Sequence, residues 1–258
     1  MSALLLMFDD GPSFPRSLFS AGEQGIWLDP SDFSTLFQDA AGTTPVTAQG
    51  QPVGLALDKS GRGNHATQTT AESRPTLQQD SNGLYYLSFD GTDDGMATPS
   101  INFTGTDKMT AWAGVRKLSD ATAAAFVELS ANANINAGAF VLFTPLSGSN
   151  IVMRHRGASA FIDATASPYA APITAVVSAS SVLGTGAVAV NVNKTPFTST
   201  GVTGGGNYGN YPLYIGRRNN ASLPFNGRIY QLIVRGAESN AGQIAATESY
   251  VNAKTRAY

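Results

Sequence analysis

Apolar and β-branched residues occur along the chain in short runs of strand length, separated by clusters of glycine, asparagine, serine and proline. In one run Val188, Val190 and Val192 alternate with Ala189 and Asn191. A period of two is typical of a strand that buries one face. Many short strands with no helical periods between them predict a sandwich or a barrel. The predicted strands are Leu84–Phe89, Met109–Leu118, Ala125–Leu129, Phe140–Phe143, Ile151–His155, Ile173–Ser178, Val188–Val192, Leu213–Ile215 and Ile229–Arg235.

One short helix is predicted at the C-terminus. Asn240 and Gln243 have the spacing of a capping box, in which each side chain accepts the other residue's backbone N–H. Ile244, Thr247 and Val251 then share one face of the helix, which would pack on the sandwich. The patterns alone therefore predict an all-β sandwich or barrel with one short C-terminal helix and an extended N-terminal arm.

The arm is predicted to comprise residues 1–26, and a single β domain residues 27–258. Gly11-Pro12 and Phe14-Pro15 interrupt regular structure in the arm, but its leucines and phenylalanines are too apolar for a solvated tail. Two interpretations stay open: the arm packs back on its own domain, or it docks into a neighbouring subunit. The apolar start lacks a basic region and soon reaches Asp9 and Asp10, so we expect neither a secretion signal nor membrane insertion.

The surface is predicted to carry few charges. Charged residues make up 13% of the chain, about half the roughly 25% of an ordinary globular protein, and the net charge is −2. Weak positive fields argue against binding of nucleic acid. A surface of small neutral residues favours contacts between copies, because a charge would have to be desolvated at each contact. The absence of cysteine excludes disulfides and cysteine catalysis.

Three signatures stand in order along the chain: the loop DKSGRGNHA (Asp58–Ala66), the strand and turn YLSFDGTDD (Tyr86–Asp94), and the segment Leu213–Lys254. Together they resemble the laminin-G-like branch of the concanavalin-A-like lectin/glucanase superfamily. This resemblance implies the fold class: all-β, a two-sheet concanavalin-A-like jelly-roll sandwich with one short C-terminal helix and an extended N-terminal arm. The segment Gly22–Gln68 also resembles structural and tail-associated proteins of tailed bacteriophages.

The chain departs from the glucanases of that superfamily, which carry a Glu-x-Asp-x-Glu strand placed for retaining chemistry. Neither His65 nor His155 lies beside a Gly-x-Ser-x-Gly elbow, and we expect His65 to bond within its own loop. No glutamate has another acid within two residues, so we predict no enzymatic activity. The glutamates are Glu23, Glu72, Glu128, Glu238 and Glu248.

Two candidate binding sites follow from local composition. Asp90, Asp93 and Asp94 cluster on one turn and could hold Ca²⁺ through hard oxygen ligands, or could simply cap the backbone of the turn. No other cofactor is predicted. A second set combines aromatic rings, on which sugars stack, with amides and guanidinium groups that bond to hydroxyls. We expect this set on adjacent loops, unless its tyrosines merely pack on the sandwich edge. Its members are Asn207, Tyr208, Asn210, Tyr211, Arg217, Arg218 and Asn219.

These features predict a non-enzymatic structural protein of a bacteriophage virion, in a tail fibre, a baseplate or a capsid decoration. The expected partners are further copies of the chain, by analogy with phage fibres a trimer, and other virion proteins. Host-surface carbohydrate is a further expected ligand. The alternative function is a carbohydrate-binding adhesin module, and a glycan hydrolase is the least favoured.

Overall fold

The computed structural model describes residues 13–258. Within this range the chain forms one α-helix, α1 (Ala241–Thr255), and two antiparallel sheets of eight and nine strands. The strands are β1 (Gly25–Leu28), β2 (Leu36–Phe37), β3 (Leu55–Ala56), β4 (Ala66–Thr67), β5 (Thr76–Gln79), β6 (Tyr85–Asp90), β7 (Met96–Asn102), β8 (Lys108–Lys117), β9 (Ala125–Leu129), β10 (Ala139–Phe143), β11 (Ile151–Arg156), β12 (Phe161–Ala166), β13 (Ile173–Val182), β14 (Ala187–Val192), β15 (Thr195–Ser199), β16 (Asn210–Ile215) and β17 (Asn226–Arg235).

The two sheets pack face to face around one main apolar core. The eight-stranded sheet has the order β15-β14-β13-β8-β17-β6-β5, and β1 pairs with the second half of β17 beyond the end of β6. The nine-stranded sheet has the order β12-β11-β10-β9-β16-β7-β4-β3-β2. This arrangement confirms the predicted two-sheet jelly-roll sandwich with its C-terminal helix.

Every predicted strand is present, with differences at the ends. In β14 the three valines are buried while Ala189 and Asn191 are half-buried, as their alternation predicted. Eight of the strands in residues 13–258 were not predicted, namely β1 to β5, β7, β12 and β15. Strands β12 and β15 each lie at an edge of a sheet and bury few side chains, so their hydrophobic signal in the sequence is weak. Strands β2, β3 and β4 have only two residues each, too few for a period to show.

Helix α1 lies on the outer face of the eight-stranded sheet, beside β8, β13 and β17. The predicted capping box is present: the Asn240 side chain accepts the N–H of Gln243 at 2.9 Å, and the Gln243 side chain accepts the N–H of Asn240 at 3.1 Å. The last turn lies so close to Gly114 that a Cβ there would be 1.9 Å from Thr255 Oγ1. None of the helices in the described part of the chain is long and apolar enough to cross a membrane.

The described part of the predicted arm, residues 13–26, packs on its own domain. A short 3-10 helix, Arg16–Phe19, buries Leu18 and Phe19 in an apolar cluster with Trp112 on the outer face of the eight-stranded sheet. The predicted boundary between residues 26 and 27 falls inside β1, which is paired along its length with β17. Residues 1–12, the other part of the arm, lie outside the described residues.

Candidate functional site

A cleft of about 510 Å³ lies on the outer face of the eight-stranded sheet, where α1 ends and leaves the strands uncovered. Its floor consists of Tyr86 on β6 and Tyr230 on β17, whose ring centroids are 5.1 Å apart. Both rings are largely buried, so only a small part of each meets the cleft. The volume falls within the roughly 300–1,000 Å³ of small-molecule sites.

Polar side chains from five elements form the walls of this cleft. Arg228 of β17 lies over the Tyr86 ring, 4.5 Å from its centroid, and Arg116 of β8 donates to Thr174 Oγ1 of β13 at 2.9 Å. The turn between β5 and β6 and the end of α1 complete the lining, which is almost entirely polar. The full lining is Gln79, Asp80, Ser81, Asn82, Tyr86, Arg116, Thr174, Arg228, Tyr230, Thr255 and Arg256.

Asp80 links the turn between β5 and β6 to Tyr230 on the floor of the cleft. One carboxylate oxygen accepts the backbone N–H groups of Asn82 at 2.8 Å and Leu84 at 3.0 Å, and the other accepts the Tyr230 hydroxyl at 3.1 Å. Burial raises the pKa of Tyr230, so its hydroxyl stays a donor at neutral pH. The wall and the floor of the cleft are therefore held in a fixed relation before any ligand binds.

The seven residues predicted for glycan binding do not form one site. Strand β16 lies between them, with residues 207–209 before it and residues 217–219 after it. A strand of this length separates its ends by roughly 20 Å, because each residue advances about 3.4 Å. The expectation that these residues lie on adjacent loops is therefore wrong, because β16 separates them.

Tyr208 offers no ring face to a ligand, contrary to the stacking role predicted for it. It is 1% exposed, packs edge-on against Phe140 and bonds through its hydroxyl to Ser181. Tyr211 is half-buried, and its hydroxyl donates to the carbonyl of Ala137 at 3.1 Å. Asn207 and Asn210 are exposed at the same end of β16, and their role in glycan binding stays a prediction.

Arg218 has a structural partner. Its Nε donates to Glu128 Oε2 at 2.7 Å, and both side chains are nearly inaccessible to solvent. Arg217 donates to two backbone carbonyls, those of Asp93 and Ala221. Asn219 is exposed in the same turn with a positive φ of 50°, a conformation that asparagine tolerates. The two arginines at this end of β16 therefore stabilise the fold.

Asp90, Asp93 and Asp94 lie together as predicted, and one oxygen of each falls within 4.8 Å of the others. Asp90 Oδ1 accepts the N–H of Thr92 at 2.8 Å, Asp94 Oδ2 accepts the N–H of Asp90 at 3.0 Å, and Asp93 accepts the Ser73 hydroxyl. Burial and the neighbouring carboxylates raise the pKa of Asp94 to about 7. The capping role is thus visible in the structure, and the Ca²⁺ role stays a prediction.

The two histidines have different surroundings. His65 Nδ1 accepts the N–H of Asp58 at 2.9 Å within the signature loop, as expected. His155 is fully buried on β11, with Nδ1 2.5 Å from Ser181 Oγ, and burial lowers its pKa to about 4. His155 is therefore neutral in the folded protein at every pH above that value.

We expect His155 to make the protein sensitive to acid. Between about pH 6.5 and about pH 4 the unfolded chain binds a proton at this histidine and the folded chain does not, so about 3 kcal/mol of stability is lost as the pH falls. Asp94 contributes with the opposite sign in that range and is common to wild type and variant. Urea unfolding should show a shallower acid decline for His155→Asn than for wild type. Parallel profiles would contradict the assignment.

No family model matches the chain, and no curated protein matches it. Solved structures share its fold. The binding domain of botulinum neurotoxin DC in complex with SialylT has a TM-score of 0.56 at 12% identity, over 76% of this chain and 48% of that one. The binding domain of Paraclostridial Mosquitocidal Protein 1 has a TM-score of 0.58 at 14% identity, over 76% and 49%. Trypanosoma rangeli sialidase has a TM-score of 0.58 at 14% identity, over 92% and 33%.

These likenesses concern the fold, since all the identities lie far below those at which function is shared. The chain spans about half the length of the toxin domains and a third of the sialidase. The protein thus has an all-β jelly-roll fold that these solved structures share.

Proposed function

We propose that the protein is a non-enzymatic carbohydrate-binding domain of the adhesin type, and that the cleft over Tyr86 and Tyr230 holds the saccharide. The observation that carries this proposal is the cleft's lining. Guanidinium groups, an amide, hydroxyls and a carboxylate converge above two tyrosines, and these groups can satisfy the hydroxyls of a sugar. These groups lie on adjacent strands and on a turn that Asp80 fixes. Binding a saccharide therefore costs the protein little conformational entropy.

The comparisons support a binding role. The toxin structures that share the fold are binding domains, one of them in complex with SialylT. Another, of botulinum neurotoxin type C, belongs to a protein that depends on two ganglioside molecules to enter cells. Among the described residues that line the cleft, Asp80 is the single acid. Glycoside hydrolysis ordinarily needs a pair of carboxyl groups, so this lining favours binding over cleavage.

A glycan array followed by calorimetry tests the site with two amide variants. Asn82→Ala removes an exposed amide from the cleft wall and should weaken saccharide binding by about 3- to 10-fold, the worth of one neutral hydrogen bond. Asn210→Ala removes a comparable amide from the loop favoured by the sequence. If only Asn210→Ala weakened saccharide binding, the binding site would be that loop and not the cleft. If the wild-type protein bound no saccharide, the proposed carbohydrate-binding function would be refuted.

We also propose that the domain belongs to a bacteriophage particle and acts there as a homo-oligomer, a trimer. This proposal is supported by the resemblance of Gly22–Gln68 to phage structural proteins and by the low charged fraction of 13%. Light scattering should give the mass of three 26.8 kDa chains. A mass of one chain at all concentrations would contradict self-assembly and would leave the cleft proposal untouched.

A further inference from the structure

Three guanidinium groups meet at the cleft although they come from separate parts of the fold. Arg116 stands on β8, Arg228 on β17, and Arg256 follows the last turn of α1 as its C-cap. None of the three is in an ion pair within residues 13–258. The acid in the lining, Asp80, already accepts two backbone N–H groups and one hydroxyl.

Arg116 has hydrogen-bonding capacity left over. Its Nη1 donates to Thr174 Oγ1 at 2.9 Å, and its guanidinium makes no other hydrogen bond within residues 13–258. A guanidinium carries five N–H donors, so Arg116 can still donate to an acceptor on a bound ligand.

Arg228 is oriented by its stacking on Tyr86. Its Cζ lies 4.5 Å from the centroid of the Tyr86 ring, and its side chain also bonds to the Tyr230 hydroxyl. These two contacts leave several of the five N–H donors of its planar guanidinium available for hydrogen bonds. A planar fork of this kind matches a carboxylate, which it can bind through two parallel hydrogen bonds.

The charge balance of the cleft is opposite to that of the protein. The whole chain has a net charge of −2, whereas the lining carries three arginines and one aspartate. Because the cleft is concave and partly desolvated, this local excess of positive charge favours an anionic ligand over a neutral one.

The C-terminal end of α1 disfavours a doubly charged anion in the cleft. Thr255 and Arg256 line the cleft at the helix C-terminus, where the exposed carbonyl groups carry partial negative charge. A doubly charged phosphate would be repelled more strongly there than a singly charged carboxylate. The hydroxyl of Thr174 and the amide of Asn82 remain to bind hydroxyl groups.

We propose that the cleft recognises an acidic saccharide, with Arg116 and Arg228 holding the sugar carboxylate and Asn82 and Thr174 facing its hydroxyls. This proposal rests on the proposed carbohydrate-binding function and specifies its ligand class. Both uronic acids and sialic acids carry a suitable carboxylate, and the experiment separates them.

Calorimetry with matched sugars tests the proposal: a hexuronate oligosaccharide against its neutral hexose counterpart, and a sialylated oligosaccharide against its desialylated form. We expect one acidic member to bind and its neutral counterpart to bind at least about 10-fold more weakly. Arg228→Met and Arg116→Met should each weaken acidic binding by about 10- to 100-fold, the worth of a charge-assisted hydrogen bond. Arg74→Met is the matched control, because Arg74 bonds only to the carbonyls of Gln68 and Thr69 near the opposite end of β5.

The outcomes separate this proposal from the one on which it rests. Equal binding of acidic and neutral sugars, unchanged in the two arginine variants, overturns the acidic ligand and leaves carbohydrate binding intact. Failure of every saccharide refutes both proposals. Equal competition by inorganic phosphate overturns saccharide selectivity, since it would mark a general anion site. Thermal unfolding of each variant checks that the fold is retained.

Discussion

Replacing Arg218 by methionine is expected to lower the free energy of unfolding by about 3–5 kcal/mol, the range for removing one partner of a buried ion pair. Glu128 is fully buried on β9, where Oε1 accepts the N–H of Ala133 at 2.6 Å and Oε2 accepts Arg218 Nε at 2.7 Å. Burial raises the pKa of Glu128, and the charge of Arg218 opposes that rise. Without the arginine, the carboxylate must stay charged without a counter-ion or bind a proton on folding.

Denaturant unfolding measures this loss, and the neighbouring arginine supplies the control. Arg217 bonds only to backbone carbonyls and is half-buried, so Arg217→Met should cost less than about 1 kcal/mol. The double variant Glu128→Gln with Arg218→Met removes both charges and should recover at least half of the loss. A single variant Arg218→Met as stable as wild type would show that the pair contributes nothing.

Replacing Asp29 by alanine is expected to cost a similar amount, about 3–5 kcal/mol, because this buried carboxylate joins three parts of the fold. It accepts the N–H and the hydroxyl of Ser31 in its own turn and the side chain of Gln231 on β17. It is also 3.2 Å from Lys59 Nζ and 3.6 Å from Lys254 Nζ on α1. Burial alone would raise the pKa of Asp29, but the bond from Ser31 and the charge of Lys59 outweigh it and lower the pKa.

The effect of Asp29→Ala should extend to the cleft. Losing the link to α1 should speed hydrogen exchange in the last turns of the helix, which end at the cleft wall formed by Thr255. Asp32→Ala is the comparison, since Asp32 also pairs with Lys59 but its side chain is 34% exposed, and it should cost about 1 kcal/mol. If Asp29→Ala and Asp32→Ala lowered the free energy of unfolding by the same amount, the role of Asp29 in joining separate parts of the fold would be refuted.

Local sequence patterns determined the elements of this protein. Alternating valines in β14, the capping box of Asn240 and Gln243, and the glycine-rich loop around His65 depend on residues a few positions apart. Such features keep their meaning wherever the segment lies in the fold. They were sufficient for an all-β sandwich or barrel with a C-terminal helix, and the resemblance of three motifs to a known superfamily added the two-sheet jelly roll.

The cleft had a weaker signal in the sequence. Arg228 and Tyr230 flank Ile229, an alternation that marks them as residues on the outer side of a strand with a buried isoleucine. Nothing local shows that Tyr86 lies beside them, because that contact depends on the pairing of β17 with β6. The same limit explains why Tyr208 and Arg218 looked available for a ligand.

The sequence by itself therefore determined which segments are strands, which faces they bury, and where the helix begins. Only the tertiary structure decided which outward side chains meet. Strand order and register brought Arg116, Thr174 and Arg228 from three strands to one cleft, at which α1 ends. The physical reason is that side-chain alternation is fixed by backbone geometry within each strand, whereas neighbours across a sheet are selected by the packing of the whole core.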